Sequence, residues 1–249
     1  MALHALEIIY FPLPVIIGQP LGTFSVLASL FLLEKLTGKE ITLEETFKKI
    51  RFKGTNKLWL VLSPLVLPLF TLFGSFLDFL MGWQKEFLII QPEVLETLGI
   101  ATVVLIPVTL FAGLLSSPIL EEPGWRGFAI ERLQAKHGHL LGSLILGSLW
   151  WLWHQPINIA NGIPVTFYSY LSMVVTSFAI DTVFFLSDNN LLSAMLMHSS
   201  LIVTFSYIYS NQNSLGILII GIIITGFLRL YYHEKVRKKT EMSRQPSLN

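Results

Sequence analysis

Two adjacent carboxylates follow a long apolar run in this chain, at a position where acid–base chemistry is expected. Glu121 and Glu122 come directly after the apolar interval 98–120, which is long enough to span a bilayer. A carboxylate at membrane depth costs about 2.5 kcal/mol or more unless it faces a watery cavity or a cation, so such a residue indicates a functional site. His154 and His198 lie in later apolar segments. Together the four side chains predict a site that activates water inside a membrane.

The spacing of neighbouring residues predicts that the two acids differ. Arg126 follows Glu122 by four residues, so the two side chains would meet on one helix face. Pro123 predicts a restart or kink of the helix with Glu122 at the boundary. We expect Glu122 to pair with Arg126 and Glu121 to act as the base, although the reverse assignment stays open. The alternative is a polar helix end at the membrane surface, with Arg126 reaching the headgroups.

Both histidines and one further acid have alternative roles. His154 follows Trp150 by four residues, which places indole and imidazole on one helix face. A histidine beside tryptophans near a helix end can equally be structural. His198 lies well inside an apolar span, where its alternative role is a hydrogen bond between helices. Asp181 also lies inside a span and could line the cavity or pair with a histidine.

The composition predicts an integral membrane protein. Of 249 residues, 53% are hydrophobic and 13% are charged, against roughly 25% charged in ordinary globular domains. Apolar intervals of about 20 residues can be drawn at 6–33, 58–80, 98–120, 140–160, 164–187, 190–210 and 214–232. The first interval is long and contains Pro12, Pro14 and Pro20, so it could kink or form a pair of half-helices. We predict an all-α transmembrane bundle of about seven to eight helices, with broken helices in its catalytic core.

Basic residues predict the orientation of the chain. They concentrate in the first loop at 35–57, in the third loop at 126–136 and in the tail at 235–244, whereas the second loop contains only Lys85. Short loops rich in lysine and arginine stay in the cytoplasm. The acidic pair and the C-terminus are therefore expected on the cytoplasmic side.

The first loop also contains a helix-start signal. Thr42 followed by Glu45 resembles a capping box and predicts a short interfacial helix. We expect Lys48 and Lys49, which follow it, to contact lipid headgroups.

The chain contains no cysteine, which excludes disulfides, thiolate zinc sites and a cysteine nucleophile. A zinc site held by Glu121, His154 and His198 stays an alternative, since three such ligands can leave one position open for water. Two features weigh against it. The sequence has no His-Glu-x-x-His motif, and Asp181 is the only candidate carboxylate that could hydrogen-bond to a metal-binding histidine.

The motifs resemble those of the CPBP family, the CAAX-protease and bacteriocin-processing (Abi) intramembrane endopeptidases. The matching elements are Glu121-Glu122-x-x-x-Arg126, Trp150-x-x-x-His154, the intramembrane His198, Gly-Trp-Arg-Gly-Phe at 124–128, Arg-Leu-Gln at 132–134 and Trp-His-Gln-Pro at 153–156. The resemblance covers about residues 98–210, which we interpret as the catalytic core. Residues 1–97 would form N-terminal spans with a basic cytoplasmic loop, and 211–249 a last span with a basic tail.

This resemblance implies a glutamate-dependent peptidase whose site contains Glu121, Glu122, Arg126, His154 and His198. Glu121 would take a proton from water, and the two histidines would steady the developing oxyanion. No cofactor is certain. The implied substrates are membrane-embedded or membrane-proximal peptides, either prenylated C-terminal tails or peptides linked to bacteriocin maturation and immunity. We expect an integral protein of a bacterial cytoplasmic membrane in contact with lipid and not with nucleic acid.

One position departs from the family pattern. Ile202 stands four residues after His198, where the family has an asparagine thought to hold the oxyanion. Loss of such a donor costs about 3–4 kcal/mol of barrier. Four polar residues could substitute for it: Ser199, Ser200, Thr204 and Asn158. Two other functions therefore stay open, a non-catalytic scaffold or immunity protein and a proton-coupled transporter that uses the acids as a relay.

Overall fold

The computed structural model describes residues 15–38, 42–53, 56–211 and 213–244, and these residues form a bundle of helices. The predicted all-α class is confirmed; beside the helices, the described residues show one isolated antiparallel bridge between Ile90 and Ile208. The helices are α1 (Val15–Leu36), α2 (Leu43–Phe47), α3 (Lys57–Leu80), α4 (Pro92–Leu98), α5 (Ala101–Leu114), α6 (Ser117–Gly124), a π-helical segment (Trp125–Ala129), α7 (Ile130–Ala160), α8 (Phe167–Leu186), α9 (Leu191–Tyr207) and α10 (Leu215–Arg244).

Fewer helices than predicted meet the length and composition of a full span. Within the described residues three do so, namely α3, α8 and the Leu215–Lys238 part of α10. Helices α4 and α5 are bent by 107° and would make a fourth span together. The predicted span at 190–210 corresponds to α9, an apolar helix of 17 residues. Most of its side chains are buried by neighbouring helices, so its apolar composition reflects protein contacts.

The proline-rich start of the chain falls only partly within the described residues. Pro12 and Pro14 lie outside them. Pro20 lies inside α1, which is one helix from Val15 to Leu36. The described part of the first interval is therefore a single helix.

The chain breaks before the acidic pair, so the predicted boundary at Glu122 is wrong. Ser116 has non-helical backbone angles (φ −94°, ψ −124°), and α6 begins at the next residue. Glu121, Glu122 and Pro123 all lie inside α6, and the chain continues into the π-helical segment. Since proline supplies no N–H and crowds the preceding turn, a widened turn after Pro123 lets the helix continue. π-Helical turns are frequent at functional sites.

Helix α9 lies at the centre of the bundle and packs against α3, α5, α6 and α8, while α10 packs against α3 and α8. The crossing of α3 and α10 is close because Gly74 and Gly216 face each other; a Cβ on either glycine would overlap the backbone of the other helix. Asp78 of α3 accepts hydrogen bonds from the Gly216 N–H, at 2.7 Å, and from the Ser214 hydroxyl. A carboxylate thus caps the start of α10, where the helix dipole favours negative charge.

The short helix in the first loop is confirmed, together with its N-cap. The Thr42 hydroxyl accepts a hydrogen bond from the Glu45 N–H at 3.2 Å. Lys48 pairs with Glu44 on the exposed side. Lys49 instead points into the protein, where its Nζ donates to the Gly127 carbonyl (2.7 Å) and to Glu131 Oε2 (2.6 Å). The predicted headgroup contact is therefore wrong for Lys49, because a buried carbonyl and a carboxylate bind its ammonium group.

The same connector is tied to the start of α9, the helix that carries His198. The Arg51 N–H donates to Asn190 Oδ1 at 3.1 Å, and Asn190 Nδ2 donates to the Arg51 carbonyl at 2.8 Å. The Leu191 N–H donates to the Lys49 carbonyl at 2.9 Å. The connector thus joins the π-helical segment to α9.

Replacement of Lys49 by methionine is expected to destabilise the protein, whereas the same change at Lys48 is nearly neutral. Lys49→Met removes two charge-assisted hydrogen bonds and should cost about 1.5–3 kcal/mol. Lys48→Met removes an exposed i,i+4 pair and should cost at most about 0.5 kcal/mol. The free energy of unfolding in mixed detergent micelles measures both. Equal effects of the two changes would show that the Lys49 contacts do not hold the connector.

Candidate active site

A buried group of charges surrounds Arg126 at the junction of α6 and the π-helical segment. Its Nη1 donates to Glu122 Oε1 at 3.0 Å, as the i,i+4 spacing predicts. Its Nε donates to Asp181 Oδ1 of α8 at 2.9 Å, and its Nη2 donates to Ser177 Oγ at 2.8 Å. The three charged side chains are completely buried. Of the two roles considered for Asp181, pairing with a histidine is not what the structure shows, because its carboxylate binds the Arg126 guanidinium.

His198 of α9 is held by the same glutamate. Its Nδ1 lies 2.7 Å from Glu122 Oε1. A carboxylate only accepts hydrogen bonds, so Nδ1 carries the hydrogen and Glu122 fixes the orientation of the ring. The other ring nitrogen, Nε2, lies 3.4 Å from the Ser117 hydroxyl. In the neutral imidazole Nε2 is then the basic nitrogen, and it faces the start of α6.

Trp150 of α7 connects the acidic pair to both histidines. Its indole Nε1 donates to Glu121 Oε2 at 3.2 Å. The ring centre lies 5.2 Å from that of His154 and 5.3 Å from that of His198, edge-to-face in both cases. The Arg126 guanidinium lies 5.0 Å from the same ring. Trp150 is buried, so it fixes the separation of these groups.

His154 is oriented by the backbone of its own helix. Its Nδ1 donates to the Trp150 carbonyl at 2.8 Å, which leaves Nε2 without hydrogen in the neutral ring. The Trp153 ring packs edge-on against it at 4.8 Å. The structure thus brings His154, His198 and the acidic pair together from three separate helices around one indole.

The two acids have different surroundings, as the sequence predicts. Glu122 accepts from a guanidinium and an imidazole through one oxygen, Oε1. Its Oε2 is buried without a hydrogen-bond partner among the described residues. Glu121 is equally buried, and it accepts from the neutral indole of Trp150 instead of a cation. Glu122 is therefore the acid held by the cationic group of the site, and Glu121 is the acid whose hydrogen bond comes from a neutral donor.

The chain matches known proteins in the part that contains these residues. Residues 103–225 match the model of the family described as type II CAAX prenyl endopeptidase Rce1-like. This segment belongs to the family. The matched segment contains every residue of the site, and the match confirms the resemblance to CAAX proteases inferred from the motifs.

A curated relative matches a shorter part of the chain. The chain is 40% identical over 48 residues to CAAX prenyl protease 2 of Methanococcus maripaludis. This match covers 19% of the chain and 18% of that protein. The chain thus aligns with less than a fifth of the relative's length.

The Rce1-like segment does not arrange the predicted zinc ligands as a metal site. Among the described residues, no group of three or more histidine, cysteine, aspartate or glutamate side chains is placed to hold a metal ion. His198 Nδ1 is bound to Glu122 and His154 Nδ1 to a backbone carbonyl, which leaves Nε2 of each ring as the nitrogen that could bind a metal. In the part of the chain that the structure describes, however, Glu121, His154 and His198 are not grouped as the ligands of one ion.

Among the described residues, the candidates to replace the missing asparagine show no hydrogen bond to the site histidines. Three hydroxyls of α9 donate to backbone carbonyls: Ser199 to Leu110, Ser200 to Met197 and Thr204 to Ser200. Asn158 lies in the last turn of α7, where its carbonyl accepts from the Ile163 N–H. Ile202 itself lies beside Gly113 of α5. The polar contact with His198 Nε2 comes from Ser117 instead.

Ser117 was missed by sequence reasoning, although a signal for it exists. The tripeptide Ser116-Ser117-Pro118 is typical of a helix start. Recognition of that start would have placed the Ser117 hydroxyl one helical turn before Glu121, on the same face.

Proposed function

We propose that this protein is an intramembrane endopeptidase in which Glu121 activates water for hydrolysis of a peptide bond near the cytoplasmic face of the membrane. The observation that carries the proposal is the convergence of Glu121, His154 and His198, from three helices, around the buried Trp150. Scattered polar residues kept for helix packing would not produce this arrangement. It therefore favours an enzyme over a scaffold.

Each group has a defined role in the proposed reaction. Glu121 takes a proton from water, and the resulting hydroxide attacks the carbonyl carbon of the peptide bond. The negative charge that develops on the carbonyl oxygen is stabilised by His154 and His198 when Nε2 of each ring carries a proton, since both Nδ1 hydrogens are bound elsewhere. When the carbon–nitrogen bond breaks, Glu121 returns its proton to the leaving amine. Glu122 and Arg126 act from behind His198 and hold its ring in place.

The class of substrate follows from the family. The family description and the relative's name both refer to CAAX prenyl proteases, which supports a prenylated C-terminal peptide as the substrate. Neither refers to bacteriocin processing. We therefore favour CAAX-type processing over the bacteriocin-related alternative.

The cytoplasmic position of the site is supported by contacts at one end of the bundle. Arg51 of the first loop donates to the Asp188 carbonyl, and Lys235 near the C-terminal tail donates to Asp188 Oδ1 at 3.2 Å. The first loop and the end of α10 thus lie at one end of the bundle, which supports a common side of the membrane for both. Glu131, which binds Lys49, places the π-helical segment near that side as well.

The proton-relay transporter has less support. Asp181, one of its three acids, binds Arg126 in a completely buried ion pair. This ion pair accounts for a buried acid at this position without a relay.

Peptide cleavage by the purified full chain in liposomes tests the proposal. The probe is an internally quenched peptide that ends in a farnesylated CAAX sequence, and the same peptide without the farnesyl group is its matched control. We expect cleavage of the farnesylated peptide, with the products identified by mass spectrometry. Failure to cleave either peptide would contradict the proposed function, and uptake driven by a pH gradient would favour the transporter.

A further inference from the structure

Ser117 lies where a hydroxyl can serve both His198 and a substrate. It is the first residue of α6, and its Oγ lies 3.4 Å from His198 Nε2. Glu121 follows it by four residues, so the hydroxyl and the proposed base share one face of the helix. Ser117 is partly exposed, unlike the buried Glu121. A reacting carbonyl next to Glu121 would therefore lie within reach of the Ser117 hydroxyl.

The hydrogen bond between Ser117 and His198 has a direction that depends on the imidazole. Glu122 keeps the hydrogen of the neutral ring on Nδ1, so Nε2 accepts and Ser117 donates. If Nε2 gains a proton, it becomes a donor and Ser117 Oγ accepts. The hydroxyl hydrogen is then free to bind a third group.

We propose that Ser117 is a further catalytic residue, whose hydroxyl donates to the oxyanion when Nε2 of His198 is protonated. The proposal rests on the proposed function, since it assigns the donor for the same reaction. The proton on Nε2, taken up from solvent before the reaction, binds Ser117 Oγ, so His198 acts on the oxyanion through Ser117. The Ser117 hydrogen binds the carbonyl oxygen as its negative charge develops. No bond to Ser117 forms or breaks. The group acts as a hydrogen-bond donor that the transition state needs more than the bound substrate does.

Two other hydroxyls near His198 already donate hydrogen bonds to backbone carbonyls. Those of Ser199 and Ser200 donate to carbonyls of α5 and α9. The side chain of Ile202, one turn after His198, has no polar group. Ser117 thus supplies a donor on the side of His198 that faces the start of α6.

Three variants in the liposome assay test the role of Ser117. Ser117→Ala is expected to lower kcat for the farnesylated peptide by about 10²-fold, the loss typical of one oxyanion donor, with KM nearly unchanged. Ser117→Thr keeps the hydroxyl and should restore most of the activity. Ser116→Ala is the matched control, because that hydroxyl donates to the Gly113 carbonyl at 2.6 Å. A kcat of Ser117→Ala equal to that of Ser116→Ala, in a parent that cleaves the peptide, overturns the proposal and leaves the proposed function standing.

A second measurement does not need turnover. In ¹⁵N-histidine NMR spectra of the protein in nanodiscs, with His198 assigned through a His198→Asn variant, Ser117→Ala should shift the Nε2 resonance and Ser116→Ala should not. An unchanged Nε2 resonance in Ser117→Ala means that the contact is absent, which also overturns the proposal. If the parent cleaves neither peptide, the proposed function fails, and with it the role of Ser117 in catalysis.

Discussion

Glu121→Gln is expected to reduce cleavage of the farnesylated peptide by at least about 10³-fold, within the range that a general base contributes. Glutamine has nearly the same size as glutamate, and its carbonyl oxygen can still accept the hydrogen bond from Trp150 Nε1. It cannot take a proton from water. The loss should therefore appear in kcat, with KM and the thermal unfolding temperature close to those of the parent.

Two comparisons decide whether the effect belongs to Glu121. Glu44→Gln removes a carboxylate that is exposed and paired only with Lys48, so its kcat should equal that of the parent. Glu122→Gln should reduce both activity and stability, because Glu122 binds two buried partners. If Glu121→Gln keeps more than a tenth of the parent's kcat while Glu122→Gln loses it at unchanged stability, the roles of base and orienting acid are reversed.

Local contacts of the site could be predicted from the sequence, and contacts between helices could not. The pairing of Glu122 with Arg126 and that of Trp150 with His154 are i,i+4 contacts, which follow from helical geometry alone. The bonds from Glu122 to His198 and from Arg126 to Asp181 join residues 76 and 55 positions apart. Such distances depend on how helices cross, and one sequence does not specify the crossing angles.

The fold shows the same division. Low charge and long apolar runs predict a helical membrane bundle, because a chain in lipid must satisfy its own backbone. Hydropathy alone cannot distinguish a helix that faces lipid from one that is enclosed by other helices. Helix α9 is of the second kind, which explains why the sequence predicts a span at 190–210.

The sequence contains two prolines near the acidic pair, and the helix begins beside one of them and continues through the other. Pro118 lies in the first turn of α6, where a missing N–H costs nothing. Pro123 lies inside the same helix and is followed by the π-helical segment. Both prolines are visible in the sequence, but the packing of the surrounding helices decides between a break and a widened turn.

Arg126→Met is expected to destabilise the protein by about 3–5 kcal/mol, the cost of leaving buried charges without their partner. Methionine fills a similar space but leaves the carboxylates of Glu122 and Asp181 without their guanidinium in a region that water does not reach. Cleavage should be lost as well, because Glu122 would no longer be held against His198. Arg132→Met is the matched control: Arg132 is exposed and donates to the Phe128 carbonyl, so its replacement should cost at most about 0.5 kcal/mol.

A neutral variant of the whole group separates the contribution of charge from that of packing. In Glu122→Gln/Arg126→Met/Asp181→Asn no buried charge of the group lacks a partner, so most of the stability lost in Arg126→Met should return. Cleavage should not return, since the side chain at position 122 would lack the guanidinium that holds it against His198. The free energy of unfolding tests the return of stability, and kcat measured on the same preparations tests the loss of cleavage. A triple variant as unstable as Arg126→Met would show that the loss comes from packing around residue 126, and the electrostatic account of this group would then be wrong.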